Sequence, residues 1–169
     1  MNLNKNRKYE TLEDDITKRS IGINTDKQLK DYKIFVFDLD NTLYLHNNEN
    51  SSYHKKVKNF LVYLKDNNKK LYVATHNFNP VFLLDKLNIT ELFDGVIKET
   101  KNVNPMLNSI MEYTNKKDMI LEILKDTDFT TEDVIFFDDH EYNITQVNSI
   151  GVKCIYVDDF KGINFSDIY

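Results

Sequence analysis

The 169 residues include one cysteine, two prolines, four glycines and no tryptophan. A single thiol, Cys154, excludes an internal disulfide framework. It lies in the apolar run Val152-Lys153-Cys154-Ile155-Tyr156-Val157 and reads as a small core residue. One cysteine and four scattered histidines also lack the ligand spacing of a zinc site. No apolar stretch reaches the roughly 18–20 residues of a membrane span. The first ten residues are polar and have no apolar signal-peptide centre. A soluble protein of the cytoplasm or another intracellular compartment is therefore expected. An excess of basic residues is missing too: 22 Lys and Arg stand against 27 Asp and Glu, for a formal net charge of −5. That balance does not favour indiscriminate nucleic-acid binding, which depends on Lys and Arg replacing counterions, although a local basic patch is not excluded.

The length suits one domain able to bury its own core. Residues 1–30 are polar and mixed in charge and read as a loosely ordered arm, in which a short helix fits residues 9–19. Residues 31–169 read as the folded domain. There, short β-branched and aromatic runs predict strands at 33–37, 70–75, 95–98, 133–137 and 152–157. Between them lie helically spaced apolar sets: Val57, Phe60, Leu61 and Leu64; Val81, Leu84 and Leu87; Met106, Ile110 and Tyr113; Ile120, Leu121 and Leu124; Ile144 and Val147. Strand-helix alternation with continuously apolar strands predicts an α/β fold: a Rossmann-like three-layer sandwich with a mainly parallel five-stranded sheet.

The polar residues cluster at the ends of the strands. The first strand runs into Asp38-Leu39-Asp40, the second into Thr75-His76-Asn77, and the fourth into Asp138-Asp139. In a parallel sheet these ends share one edge, where ligands bind. A carboxylate at the end of a buried strand has to be paired or bound to a metal. Each residue type has a task in phosphoryl transfer. Asp38 can act as nucleophile and Asp40 as general acid and base. The Thr75 hydroxyl and a lysine ammonium can hold phosphoryl oxygens; His76 and Asn77 lie beside them as further phosphate contacts. Asp38, Asp139 and Asp138 supply hard oxygen ligands suited to Mg²⁺. Lys101 follows the third strand and can reach this edge from a loop.

Phe37-Asp38-Leu39-Asp40-Asn41-Thr42-Leu43-Tyr44 resembles the first motif of haloacid dehalogenase-like hydrolases. Thr75 matches their second motif, Lys101 their third and Asp138-Asp139 their fourth. The stretch from Ile135 to Ile144, followed by Gly151-Val152-Lys153-Cys154-Ile155, is similar to the small magnesium-dependent phosphatases, relatives of the phosphatases acting on the RNA polymerase C-terminal domain. The resemblance covers about residues 33–158. It implies a phosphomonoester hydrolase with an aspartyl-phosphate intermediate on Asp38, acid–base catalysis by Asp40, and Mg²⁺ held by Asp38, Asp139 and the main-chain carbonyl of Asp40, with Asp138 positioning it. The third-motif lysine is open between Lys101 and Lys98. Lys101 is preferred because it lies past the strand, just before a helix opening near Pro105. Thr75-His76-Asn77 departs from the Ser-Arg pair of that family.

Receiver domains of response regulators use the same residue types, but their acidic pair comes early in the chain; here it comes last. The intervals from Asp38 to Thr75 and from Thr75 to Lys101 are too short for a cap domain. The expected site is thus open, with only a flap near residues 44–53 above it. The implied partner is a phosphorylated substrate: phosphoprotein, sugar phosphate, or nucleotide or nucleic-acid phosphate. His46, His54 and His140 read as surface residues. The competing reading is a catalytically silent domain of the same fold, used for binding or assembly.

Overall fold

The computed structural model describes residues 27–47, 51–99, 101–104, 109–112, 115–125 and 127–165, with the backbone alone given at 51, 101–104 and 109–112. Five strands form one all-parallel sheet: β1 (Ile34–Phe37), β2 (Lys70–Thr75), β3 (Gly95–Lys98), β6 (Val134–Asp138) and β7 (Lys153–Tyr156), in the order β3-β2-β1-β6-β7. The four helices described are α1 (Ser51–Asp66), α2 (Pro80–Lys86), α3 (Lys116–Leu124) and α4 (Glu141–Asn148). Between β3 and α3, β4 (Lys101–Asn104) and β5 (Ser109–Glu112) pair antiparallel as a separate two-stranded sheet. Most of the arm read at 1–30, including its helix at 9–19, lies outside the described residues; Leu29–Asp31 forms a short 3-10 turn.

Side-chain alternation explains the three layers. Phe35 and Phe37 of β1, Leu71 and Val73 of β2, and Ile135 and Phe137 of β6 join Val57, Phe60, Leu61 and Leu64 of α1 in one buried cluster. Ile34, Val36, Ala74, Val134 and Phe136 face the other way, against Met119, Ile120, Ile123 and Leu124 of α3 and Val147 of α4. Successive residues of each central strand therefore serve opposite cores, which is why those strands read as unbroken apolar runs. Each fully buried Leu, Ile or Phe contributes on the order of 1.5–3 kcal/mol.

The scarcity of glycine leaves a mark. Asn41, Asn68 and Asn88 hold left-handed backbone conformations, with φ of 57°, 57° and 54°. Asparagine tolerates that region better than other residues with a Cβ. At Asn68 it ends α1: Lys69 N–H donates to the Leu64 carbonyl at 3.0 Å. Pro80, one of the two prolines, occupies the first turn of α2.

Two of the expected apolar stripes differ. The buried side of α2 is Pro80, Leu83 and Leu84, whereas Val81 is exposed. Ile110 lies in strand β5 and not in a helix; Met106, Tyr113 and the expected helix opening at Pro105 are outside the described residues. Cys154 is partly buried against the α3–α4 cluster, and burial pushes its thiol up to about 12. Among the described residues, no helix is long and apolar enough to cross a membrane.

Candidate active site

The sheet register brings the first and last acidic motifs together. Phe37 of β1 pairs with Phe137 of β6, and the Asp38 N–H donates to the Phe137 carbonyl at 2.8 Å. Asp38 and Asp138 thus stand side by side, one step beyond that pair. By strand alternation both follow Val36 and Phe136 toward the α3–α4 face. Asp38 is nearly buried and Asp138 wholly so.

The group waiting on that face is Lys116, the first residue of α3, and it is fully buried. Its ammonium donates to Asp38 Oδ1 and to the Ala74 carbonyl at 2.6 Å, and lies 3.4 Å from Asp138 Oδ2. A buried cation at a helix N-terminus opposes the helix dipole. The two carboxylates and the carbonyl offset that cost. Lys116 was not singled out in the sequence, yet a local signal exists. Asn115 caps α3, its Oδ1 accepting the Asp118 N–H at 2.9 Å while its Nδ2 donates to Asp118 Oδ2 at 3.0 Å. The run Asn115-Lys116-Lys117-Asp118 can therefore be read as a capped helix start that places a lysine at the sheet edge. Lys101 lies on β4, in the separate sheet, and its side chain is outside the described residues. Lys98 ends β3, with Nζ 3.5 Å from the Phe78 carbonyl.

Asp138 is fully engaged. Its Oδ1 accepts the His140 N–H at 2.8 Å, and the Asn143 amide donates to both its oxygens at 3.1 and 3.0 Å. Asn143, on the first turns of α4, is a second site residue that sequence reasoning did not single out. Asp139, the next residue, is less buried. Burial and the neighbouring Asp138 raise its pKa above the usual carboxylate value, only partly countered by hydrogen bonding from the Asn41 side chain. Burial likewise pushes the Asp38 carboxyl up, to about 7, against the lowering effect of Lys116.

Carboxylate oxygens of Asp38, Asp138 and Asp139 lie within 4.8 Å of one another. Two of these carboxylates share the Lys116 ammonium and Asp139 adjoins them, so acidic groups outnumber the one cation in a poorly solvated place. The donors are all oxygen and none is sulfur or imidazole, so the set fits a hard divalent cation such as Mg²⁺.

Asp40 stands farther out. Its Oδ1 is 2.5 Å from His46 Nε2, and the Asn77 amide donates to Oδ1 and Oδ2 at 3.2 and 2.9 Å. Thr75 is buried, its hydroxyl accepting the Asn77 N–H at 3.0 Å. His76 Nδ1 lies 3.5 Å from Glu99 Oε2. Asp38, Asp40, Asn41, Thr75, His76, Asn77, Lys116, Asp139, His140 and Asn143 line one cleft of about 300 Å³. Of the three histidines expected at the surface, His140 lines the cleft, His46 touches Asp40, and His54 keeps Nε2 buried without a partner.

The profile of the family described as Acid Phosphatase matches residues 45–168. The match begins beyond Asp38 and Asp40. No curated protein matches the chain. Solved structures with the same fold include a haloacid dehalogenase-like hydrolase from Streptococcus pneumoniae, at 15% identity and TM-score 0.58 over 83% of this chain and 90% of that one. The N-terminal part of a Bacteroides fragilis protein, containing a phosphatase domain complexed with Mg, aligns at 15% identity and TM-score 0.58 over 85% of this chain and 40% of that one. A β-phosphoglucomutase from Clostridium difficile aligns at 16% identity and TM-score 0.54 over 80% and 86%. One fold thus carries hydrolases and a mutase alike, so the chemistry must be argued from the site.

Proposed function

Because this chain belongs to the Acid Phosphatase family, within the haloacid dehalogenase-like hydrolases, we propose that it is an Mg²⁺-dependent phosphomonoesterase with Asp38 as nucleophile. The observation that carries the reading is the meeting of Asp38, Asp138 and Asp139 at one sheet edge, with Lys116 paired to the first two. Asp38 and Asp139 would hold the metal together with the Asp40 main-chain carbonyl, and Asp138 would stand behind, tying Lys116 and Asn143 to the site. Bound Mg²⁺ supplies offsetting positive charge as one anion approaches another.

The remaining steps belong to the side chains. Asp38 attacks phosphorus, the ester P–O bond breaks, and the Asp40 proton goes to the leaving oxygen. Water then attacks the phosphorus of the aspartyl-phosphate while Asp40 takes its proton. The Asp38 carboxylate is restored and inorganic phosphate leaves. Lys116 and the Thr75 hydroxyl stabilise charge on the phosphoryl oxygens, with Lys116 in the role the resemblance assigned to a third-motif lysine. His76 borders the phosphate cleft, while Asn77 serves chiefly to hold Asp40. The cleft exceeds a phosphate group and carries no cap among the described residues, which supports substrates ranging from sugar phosphates and nucleotides to phosphate on a macromolecule.

Hydrolysis of p-nitrophenyl phosphate is expected with Mg²⁺ and lost with EDTA. Asp38→Asn should lower it by at least about 10³-fold, since no other group replaces the nucleophile. Absence of Mg²⁺-dependent turnover across phosphosugars, nucleotides and phosphopeptides would overturn the reading.

A further inference from the structure

The chain that leaves Asp40 turns back onto it. Asn41, in the left-handed region, sets a tight turn in which its N–H donates to the Tyr44 carbonyl at 2.7 Å and the Tyr44 N–H donates to the Leu39 carbonyl at 2.9 Å. Leu43, Tyr44 and Leu45 are buried, anchoring the segment. The Tyr44 ring stacks on His54 at 5.2 Å, and its hydroxyl accepts from Lys86 Nζ at 2.6 Å. The His46 ring rests edge-on against Tyr44 at 4.9 Å, which directs Nε2 to Asp40 Oδ1.

We infer that His46 is a positioning residue for Asp40: its imidazole N–H, with the Asn77 amide from the other side, holds the Asp40 carboxyl where it can give a proton to the leaving oxygen. This rests on the phosphatase reading above. Asp40 is one-third exposed, and without restraint its side chain would sample several rotamers. A general acid works only within hydrogen-bond reach of its target. His46 is not among the residues lining the cleft and reaches it through its contact with Asp40. Its side chain is 49% exposed and fills no core position, so its contribution falls on catalysis and not on stability.

The test uses esters that differ in their need for a proton. p-Nitrophenolate leaves unaided, whereas the alkoxide of glycerol phosphate needs protonation as the P–O bond breaks. kcat/KM covers the steps through formation of the phospho-enzyme and is the quantity to compare. His46→Phe keeps a ring against Tyr44 but offers no donor. It should lower kcat/KM for glycerol phosphate by about 10- to 100-fold, the scale of a mispositioned catalytic group, and for p-nitrophenyl phosphate by no more than about threefold. The melting temperature should stay at the wild-type value. His46→Gln, whose amide N–H can reach the same oxygen, should recover most of the loss. Equal losses on both esters, no loss on either, or failure of the glutamine to rescue would overturn the inference while leaving the phosphatase reading intact. Absence of wild-type turnover on both esters would overturn that reading, and this inference with it.

Discussion

Replacing Lys116 with methionine removes a cation and keeps a side chain of similar length. Lys116 is fully buried, and its ammonium meets Asp38, the Ala74 carbonyl and Asp138. Methionine can fill the space but cannot donate, so two carboxylates and a carbonyl are left facing one another with little water. Breaking a buried ion pair by deleting one partner costs about 3–5 kcal/mol. Domains of this size are stable by roughly 5–15 kcal/mol, so the variant should fold with a much smaller margin. With about 2–4 °C lost per kcal/mol, the melting temperature should fall by about 10 °C. Activity should fall further, by about 10²- to 10³-fold in kcat/KM, because the proposed mechanism loses the ammonium that would stabilise the phosphoryl oxygens. Urea unfolding reads the first effect and Mg²⁺-dependent hydrolysis of p-nitrophenyl phosphate the second. Lys101→Ala, on the separate two-stranded sheet, serves as the contrast and should keep activity within about threefold. If Lys116→Met kept wild-type stability and turnover while Lys101→Ala lost them, the assignment of Lys116 would be refuted.

Two further predictions concern the scaffold under the site. The buried Tyr53 hydroxyl donates to the Thr42 carbonyl and accepts the Ile163 N–H at 3.1 Å. Burial pushes its pKa up to about 12. A folded value above the unfolded one, about 10, gives stability that is whole below pH 10 and is lost as pH rises toward 12. Urea unfolding at pH 8 and pH 11 should therefore show wild type losing on the order of 1 kcal/mol more than Tyr53→Phe, and at pH 8 the variant should be about 1–3 kcal/mol less stable, with two backbone groups left unpaired; a parallel fall of both proteins with pH would contradict this. Gly162 has φ of 74°, and a Cβ there would lie 2.3 Å from the Tyr53 ring. Gly162→Ala should cost about 2 kcal/mol or more, measurable as a lower melting temperature.

Much of this molecule is legible in one dimension because its central strands are buried on both faces. Val134, Ile135, Phe136 and Phe137 form an apolar run since each residue reaches one core or the other, and a charged pair directly after such a run marks where the buried strand reaches the cleft. That logic located Asp38, Asp40, Thr75, Asp138 and Asp139, all of which line the cleft or abut it. It weakened where local pattern and packing part. Ile110 carries helical spacing with its neighbours but lies in strand β5, and Val81 belongs to the apolar spacing of α2 but is turned to solvent.

The two residues missed at the site, Lys116 and Asn143, share a cause. Neither follows a strand. Each sits at the start of a helix, and its value depends on which sheet position that helix covers. A lysine 78 residues from Asp38 becomes its partner only because α3 packs across the α3–α4 face of the sheet, bringing its first residue to the carboxyl ends of β1 and β6. His46 is the same case at short range. As letters it is a polar residue in a loop; with Asn41 turning the chain and Tyr44 buried behind it, its imidazole lies on the Asp40 carboxylate. Strand positions and acidic motifs are written as runs of neighbouring residues, so periodicity and burial chemistry reveal them. The partners of those carboxylates are chosen by helix placement and turn geometry, which exist only once the layers have packed.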